Sequence, residues 1–248
     1  MKKQEINRGK MFAISAPLPE QTKTYTVIPH AKVIELIEGG LQVNNFNIVN
    51  STFDSSHLGD VLVARYYTED MIDDNMRLSF QFTNSYDKTT RFHMNVCCYI
   101  PQSKAVMMFD NYSYSRRHTG NGDKESYDNI MDTIRRSKDS IKQFMELKKC
   151  MMQQQLEKEE FGRLLGELVI LRMMTVTQMC SALRNKKKSY FGLDEWNLWE
   201  IFNAILEACN EGQLNHLQER QLALQMFIYS KYCNIEKKTP TEVMNELF

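Results

Sequence analysis

Polar and apolar residues alternate over residues 76–100 in a pattern that changes after residue 123. In MRLSFQFT the apolar positions are Met76, Leu78, Phe80 and Phe82, while Arg77, Ser79, Gln81 and Thr83 fall between them. In TTRFHMNVCCYI the same period of two puts Phe92, Met94, Val96, Cys98 and Ile100 on one face and Arg91, His93, Asn95 and Cys97 on the other. A period of two is that of a strand, whose successive side chains point to opposite faces. With NSYDK as the hairpin loop, Thr83 is expected opposite Thr89, Gln81 opposite Arg91, Ser79 opposite His93 and Arg77 opposite Asn95. Strands are also expected at 43–49, 61–67 and 104–115, separated by the turn-like segments SSHLGD and TEDMIDDN.

From Asp123 the period becomes helical. Tyr127, Ile130, Met131, Ile134, Ile141, Phe144, Met145, Met152 and Leu156 recur at steps of three and four, with a weak patch over 137–139. One continuous helix over 124–160 would span roughly 50 Å and would suit assembly. Further helices are expected at 161–174, 176–185 with Thr175 as cap, 195–210, 214–232 and in the terminal TPTEVMNELF. Ahead of the strands, AKVIELIEGG reads as a short helix stopped by its glycine pair. Residues 1–30, with three of the five prolines and no sustained period, read as an arm. The expected fold class is α+β: an N-terminal arm (1–30), a small antiparallel sheet region (31–122), then a long helix and a C-terminal helical bundle (123–248).

Composition adds bounds. The chain has 248 residues, 42% hydrophobic and 25% charged, as a folded globular protein does. Its longest apolar runs are too short to span a bilayer, and the N-terminus lacks a signal-type apolar stretch, so a cytoplasmic location without membrane contact is expected. Lys and Arg together number 31, as do Asp and Glu. Coating of nucleic acid by bulk charge is therefore disfavoured, and only local patches within about 8–10 Å matter.

The six cysteines form no C-x-x-C pair and the five histidines have no ligand spacing, so no metal and no cofactor is expected. The chain contains no phosphate-cradling glycine loop and no nucleophile elbow, and no catalytic residue is assigned. The acidic TEDMIDDN reads as a solvated turn.

The succession of FTNSYDKTTRFHMNV, a basic RRHTGN after the last strand, a long helix and DEWNLWEIFNAILEA resembles the phage- and plasmid-related family catalogued as domain of unknown function 932. Asn84, Ser85, Tyr86, Asp87, His118, Thr119, Gly120, Trp196, Trp199, Asn203 and Ala204 carry the resemblance, over roughly residues 30–232. CCYIPQSKA departs from the pattern, as in a divergent member. The resemblance implies a mobile-element accessory of recombination or counter-defence, with a looser fold likeness to single-strand annealing proteins.

Candidate chemistry gathers in the strands. Arg77, Arg91 and His93 could grip a phosphate backbone, with Ser79, Gln81 and Asn95 adding hydrogen bonds. In DNYSYSRRHTGN, Tyr112 and Tyr114 share one strand face and Arg116, Arg117 and His118 follow, the residue types that stack bases and hold phosphates. Lys186, Lys187 and Lys188 form a secondary basic loop, whereas WNLWEIFNAILEAC reads as core. The expected function is non-enzymatic binding of single-stranded nucleic acid, holding or annealing strands, by a self-assembling protein. The alternative is a counter-defence protein that binds a host protein through its helical half.

Overall fold

The computed structural model describes residues 8–20, 22, 26–56, 58–87, 90–116, 123–210 and 217–233, with backbone alone at 109–112 and 123–126. Five antiparallel strands lie in chain order: β1 (Ile48–Ser55), β2 (Val61–Asp73), β3 (Met76–Ser85), β4 (Phe92–Ile100) and β5 (Ala105–Arg116). Helices α1 (Arg8–Ser15) and α2 (His30–Val43) precede them, and α3 (Asp123–Arg135), α4 (Ser140–Met152), α5 (Lys158–Ile170), α6 (Val176–Asn185), α7 (Leu198–Cys209) and α8 (Leu217–Tyr232) follow. The fold is α+β, as the two periods predict.

Several boundaries differ from the pattern, each for a physical reason. Helix α2 runs through its glycines, and the second is needed for packing, since a Cβ on Gly40 would stand 2.7 Å from Ile134 Cδ1 and 2.8 Å from Met131 Sδ. This glycine lets α3 lie close against α2. The helix stops instead near Asn45, whose φ of 60° is left-handed, and β1 starts later than its expected position at Val43. The first thirty residues are not all arm, since α1 docks on β1: a Cβ on Gly9 would come within 2.3 Å of the Phe53 carbonyl oxygen.

The helix expected over 124–160 is interrupted twice. Ser137 and Ser140, both buried, donate to the carbonyls of Ile134 and Ser137 at 2.7 and 2.6 Å, and Arg136–Asp139 tightens into a 3-10 turn. Farther on, the Leu156 N–H donates to Trp196 O and the Leu198 N–H to Gln154 O, so the α4–α5 connection pairs with the chain entering α7. No continuous rod is left for assembly. Thr175 caps α6 as expected, in a reciprocal pair with Gln178.

Opposite β3, the observed partners are Thr83 with His93, Gln81 with Asn95, Ser79 with Cys97 and Arg77 with Tyr99. Strand β3 continues to Ser85 and β4 begins only at Phe92, so the loop is longer than NSYDK. The displacement is an even number of residues, which keeps every side chain on its predicted face. Phe80, Phe82, Phe92, Met94, Val96 and Cys98 accordingly enter one apolar core that also takes Ala13 of α1, Ile37 of α2, Phe144 of α4, Leu164 of α5, Trp199 of α7 and Tyr229 of α8. Both the strand and helical regions contribute to this cluster. Helix α7 is its central rod, buried at every position except Glu207.

Both sheet edges are closed by local devices, as edge strands require. On β5 the Gln225 side chain accepts from the Met108 N–H at 2.7 Å and donates to Val106 O at 3.0 Å, filling the place of a sixth strand. On β1 the Asn50 side chain accepts from the Ser51 N–H at 2.8 Å beside a bulge, and α1 lies over Phe53.

Candidate nucleic-acid interface

The polar face of the sheet is set by register. Thr52 on β1 stands opposite Arg65 on β2, Arg65 opposite Gln81, Tyr67 opposite Ser79, Gln81 opposite Asn95 and Arg77 opposite Tyr99. These partners share one side, and the face divides into two territories.

The β4–β5 side is roofed by α8. Leu222 and Met226 pack on Cys97, Val106 and Met108, while the Thr83 hydroxyl donates to Gln218 Oε1 at 2.7 Å. His93 Nε2 meets Glu219 Oε1 at 2.8 Å, with the two side chains only 10% and 2% exposed. His93, expected on a solvated face, is thus buried against the Glu219 carboxylate. A polar strand face can belong to the interior when the covering helix supplies matching polar groups, here Gln218, Glu219 and Gln225.

The β1–β3 side is a strip of long side chains, joined by Tyr99 of β4, which also packs against the edge of the roofed cluster. Arg65 donates to Gln81 Oε1 and Asp54 Oδ2, each at 2.7 Å. Tyr67 and Tyr99 stand with ring centroids 4.3 Å apart at 52°. Burial raises both phenol pKa values; Arg65 opposes the shift at Tyr67 and Arg77 opposes it at Tyr99, leaving neutral hydroxyls at neutral pH. Arg77 is half-buried, makes no ion pair among the described residues, and has an Nε without a hydrogen-bond partner. On the same face lie Ser79, Gln81 and Asn95, 2%, 1% and 1% exposed, whose Oγ, Nε2 and Oδ1 also lack partners, with Asn95 at the border of the roofed part, where its Nδ2 meets Met108 Sδ. Aromatic rings, guanidinium groups and unmet hydrogen-bonding atoms therefore occupy one face.

The other sequence candidates separate. Tyr114 pairs with Met94 on the apolar side, its ring 6.0 Å from Phe92 and packed on the core, so it does not share a surface with Arg77. Alternation around a bulge in β5 could not be read from the sequence. Arg116 pairs with Phe92, which brings it and Arg91 to the same end of the ladder, both half-buried. The side chain of Tyr112, together with Arg117 and His118, lies outside the described residues. In the basic loop, Lys186 sits 3.3 Å above the Trp196 ring and 3.3 Å from Glu195, and Lys188 holds Glu207 at 2.8 Å. Lys187 is exposed. Two of these three lysines serve local packing.

Arg65, Tyr67 and Tyr99 were not among the expected residues. The signal for Tyr99 was present: one more step of the His93, Asn95, Cys97 alternation reaches it. Arg65 and Tyr67 alternate within VLVARYYT, but adjacent valines and tyrosines make both faces of that strand look apolar.

Other motifs are structural here. Asn84 Nδ2 donates to Ile28 O at 2.8 Å and stands 2.9 Å from His30 Nδ1, while Tyr86 stacks on the His30 ring at 3.9 Å and its hydroxyl accepts from the His30 N–H. The N-S-Y-D element thus anchors the start of α2. The acidic 69–73 segment continues β2 rather than forming a free turn, and Asp73 is held by Lys148 at 2.6 Å. Burial pushes the thiols of Cys97, Cys98 and Cys209 up, the last to about 12, which makes them poor nucleophiles at neutral pH. Compared with models of protein families, with characterised proteins and with solved structures, the chain finds no match.

Proposed function

We propose that the protein binds single-stranded nucleic acid without covalent chemistry, on the strip of sheet between β1 and α8. The observation that carries this reading is the convergence of Arg65, Tyr67, Arg77 and Tyr99 on one face with unpartnered polar atoms of Ser79, Gln81 and Asn95. Tyrosine faces stack bases for about 1–3 kcal/mol each, and an unpaired guanidinium attracts a phosphate. Gln81 and Asn95 face each other across β3 and β4 and carry an unmet donor and an unmet acceptor on this face. The mobile-element setting rests on the family resemblance, and a cytoplasmic location and self-assembly belong to the same proposal. No helix among the described residues is long and apolar enough to cross a membrane.

The test is a fluorescence-anisotropy titration of short single-stranded DNA and RNA at several salt concentrations. Wild type should bind with an affinity that falls as salt rises. Tyr67→Ala with Tyr99→Ala should weaken binding about 10- to 100-fold, and Arg77→Ala should lower the salt slope by about one ion. Arg116→Ala with Arg117→Ala should do less. Unchanged affinity in the tyrosine double variant would remove the site.

A second reading, recognition of a host protein through the helical half, is favoured by one observation. Helix α6 exposes Val176 and Leu183 on one side, at 60% and 45%, with Cys180 between them. That reading predicts no oligonucleotide binding at moderate salt and loss of host-protein capture in Val176→Glu with Leu183→Glu.

A further inference from the structure

Two half-buried cysteines meet where α4 ends against the C-terminal turn of α8. Cys150 Sγ lies 3.6 Å from the carbonyl oxygen of Tyr232, the peptide group that leads into Cys233. Its thiol is close enough to Cys233 to act on the ionisation of that side chain. Gln154, one turn along from Cys150, donates both to Cys150 Sγ at 3.3 Å and to the same Tyr232 carbonyl, which fixes the two chain segments against each other. Cys233 is itself held by its N–H to Tyr229 O at 2.8 Å, and Tyr229 is fully buried in the core. The contacts with the Tyr232 peptide hold the two cysteines as neighbours, the first requirement for a disulfide.

We propose that Cys150 and Cys233 form a reversible disulfide that pins the end of α8 to α4. The oxidant is a low-molecular-weight disulfide such as oxidised glutathione. The Cys150 thiolate attacks one of its sulfurs, breaking that S–S bond and expelling one small thiolate. The Cys233 thiolate then attacks the Cys150 sulfur of the mixed disulfide, forming the protein S–S bond and releasing the second small thiol. Two protein thiols are oxidised and one small disulfide is reduced, with both protons passing to solvent or to the departing thiolates. Burial, together with the neighbouring Cys150 thiol, raises the Cys233 pKa. The reaction is therefore slow at neutral pH and accelerates as the solution becomes more alkaline. Because the second step is intramolecular, it goes to completion at mildly alkaline pH and leaves no persistent mixed disulfide.

The device bears on the roofed sheet face, because α8 carries the side chains that cover it. Pinning its last turn restrains Gln225 on the β5 edge and, farther up the helix, Leu222 and Gln218 on the face. Formation of the bond does not depend on any nucleic-acid role.

The full chain, reduced and then exposed to oxidised glutathione at mildly alkaline pH, is followed by intact mass, peptide mapping and thermal melting. The expected product has lost two hydrogens, apart from any glutathione added at Cys180, yields a Cys150–Cys233 cross-linked peptide, melts roughly 5 °C higher or more, and reverts with dithiothreitol. Exposed Cys180 is the internal control and should carry only a glutathione adduct. Cys150→Ser and Cys233→Ser should each abolish the loss of two hydrogens, and Cys180→Ser should leave it intact. Persistent glutathione adducts on Cys150 or Cys233, recovery of both as free thiols, or loss of two hydrogens in Cys150→Ser would overturn the proposal.

Discussion

The two faces of the sheet are built from the same strands and held in the same register, yet they stabilise the molecule in different ways. On the apolar face Phe80, Phe82, Phe92 and Met94 merge with helices from both ends of the chain into one core. On the polar face every stabilising contact is specific, because a buried polar group is worth keeping only when its partner is present. The part under α8 has those partners in Gln218, Glu219 and Gln225, whereas the part around Tyr67 and Tyr99 lacks them. One face therefore stores stability, and the other is divided between closure and unmet bonding capacity.

Four substitutions and one change of pH sharpen that contrast. The largest effect is expected on the apolar face: Phe82→Ala should cost about 3–5 kcal/mol in denaturant unfolding, from lost burial and the cavity left behind. A cost below about 1 kcal/mol would show that the core is looser than its burial implies. His93→Ala removes the buried Nε2 that meets Glu219 Oε1 and should cost about 3 kcal/mol. The double change to His93→Leu with Glu219→Leu should recover part of that loss, and no recovery at all would mean that contacts of Glu219 other than His93 carry the stability.

Gln225→Leu exposes the Met108 N–H and Val106 carbonyl at the β5 edge. It should cost about 1–3 kcal/mol and promote association between molecules, read by light scattering. A monomeric, fully stable variant would contradict the assigned edge cap. Ser79→Ala should be the mildest, within about 0.5 kcal/mol of wild type or slightly stabilising, since its hydroxyl has no partner to lose. Destabilisation beyond about 1 kcal/mol would reveal a bonded hydroxyl.

Alkaline pH acts on the interior as a whole. The Tyr66 phenol and the Cys97 and Cys209 thiols have pKa values raised by burial, so their folded-state values exceed the unfolded ones. Their contribution is complete below the unfolded thiol value of about 8.5 and declines above it, with the tyrosine joining above about 10. Unfolding free energy measured from pH 7 to 11 should therefore be flat and then fall. A rise over that interval would contradict neutral burial of these groups.

Much of this architecture was legible. The period of two in MRLSFQFT and RFHMNVCCYI placed each side chain on its proper face even though the expected hairpin register was displaced, because an even displacement preserves the alternation. Thr175 announced its helix through side-chain chemistry that is entirely local. The breaks in the 124–160 segment were less legible: the apolar spacing persists across them, while the interruptions come from serines bonding back to the chain and from pairing with the distant Trp196–Leu198 segment. The roof over His93 was invisible for the same reason, since nothing near residue 93 reports Glu219. Tyr114 was misplaced because the β5 bulge resets alternation. Arg65 and Tyr67 acquire meaning only when register sets them beside Gln81 and Ser79.

Cross-linking tests the central claim most directly. A photoreactive single-stranded oligonucleotide bound to the full chain at moderate salt, irradiated and mapped by mass spectrometry, should attach at Tyr67, Tyr99 or the strand residues flanking them. Adducts confined to the 186–188 loop or the exposed side of α6, or no adduct at any protein concentration, would contradict nucleic-acid binding on the open strip of the sheet.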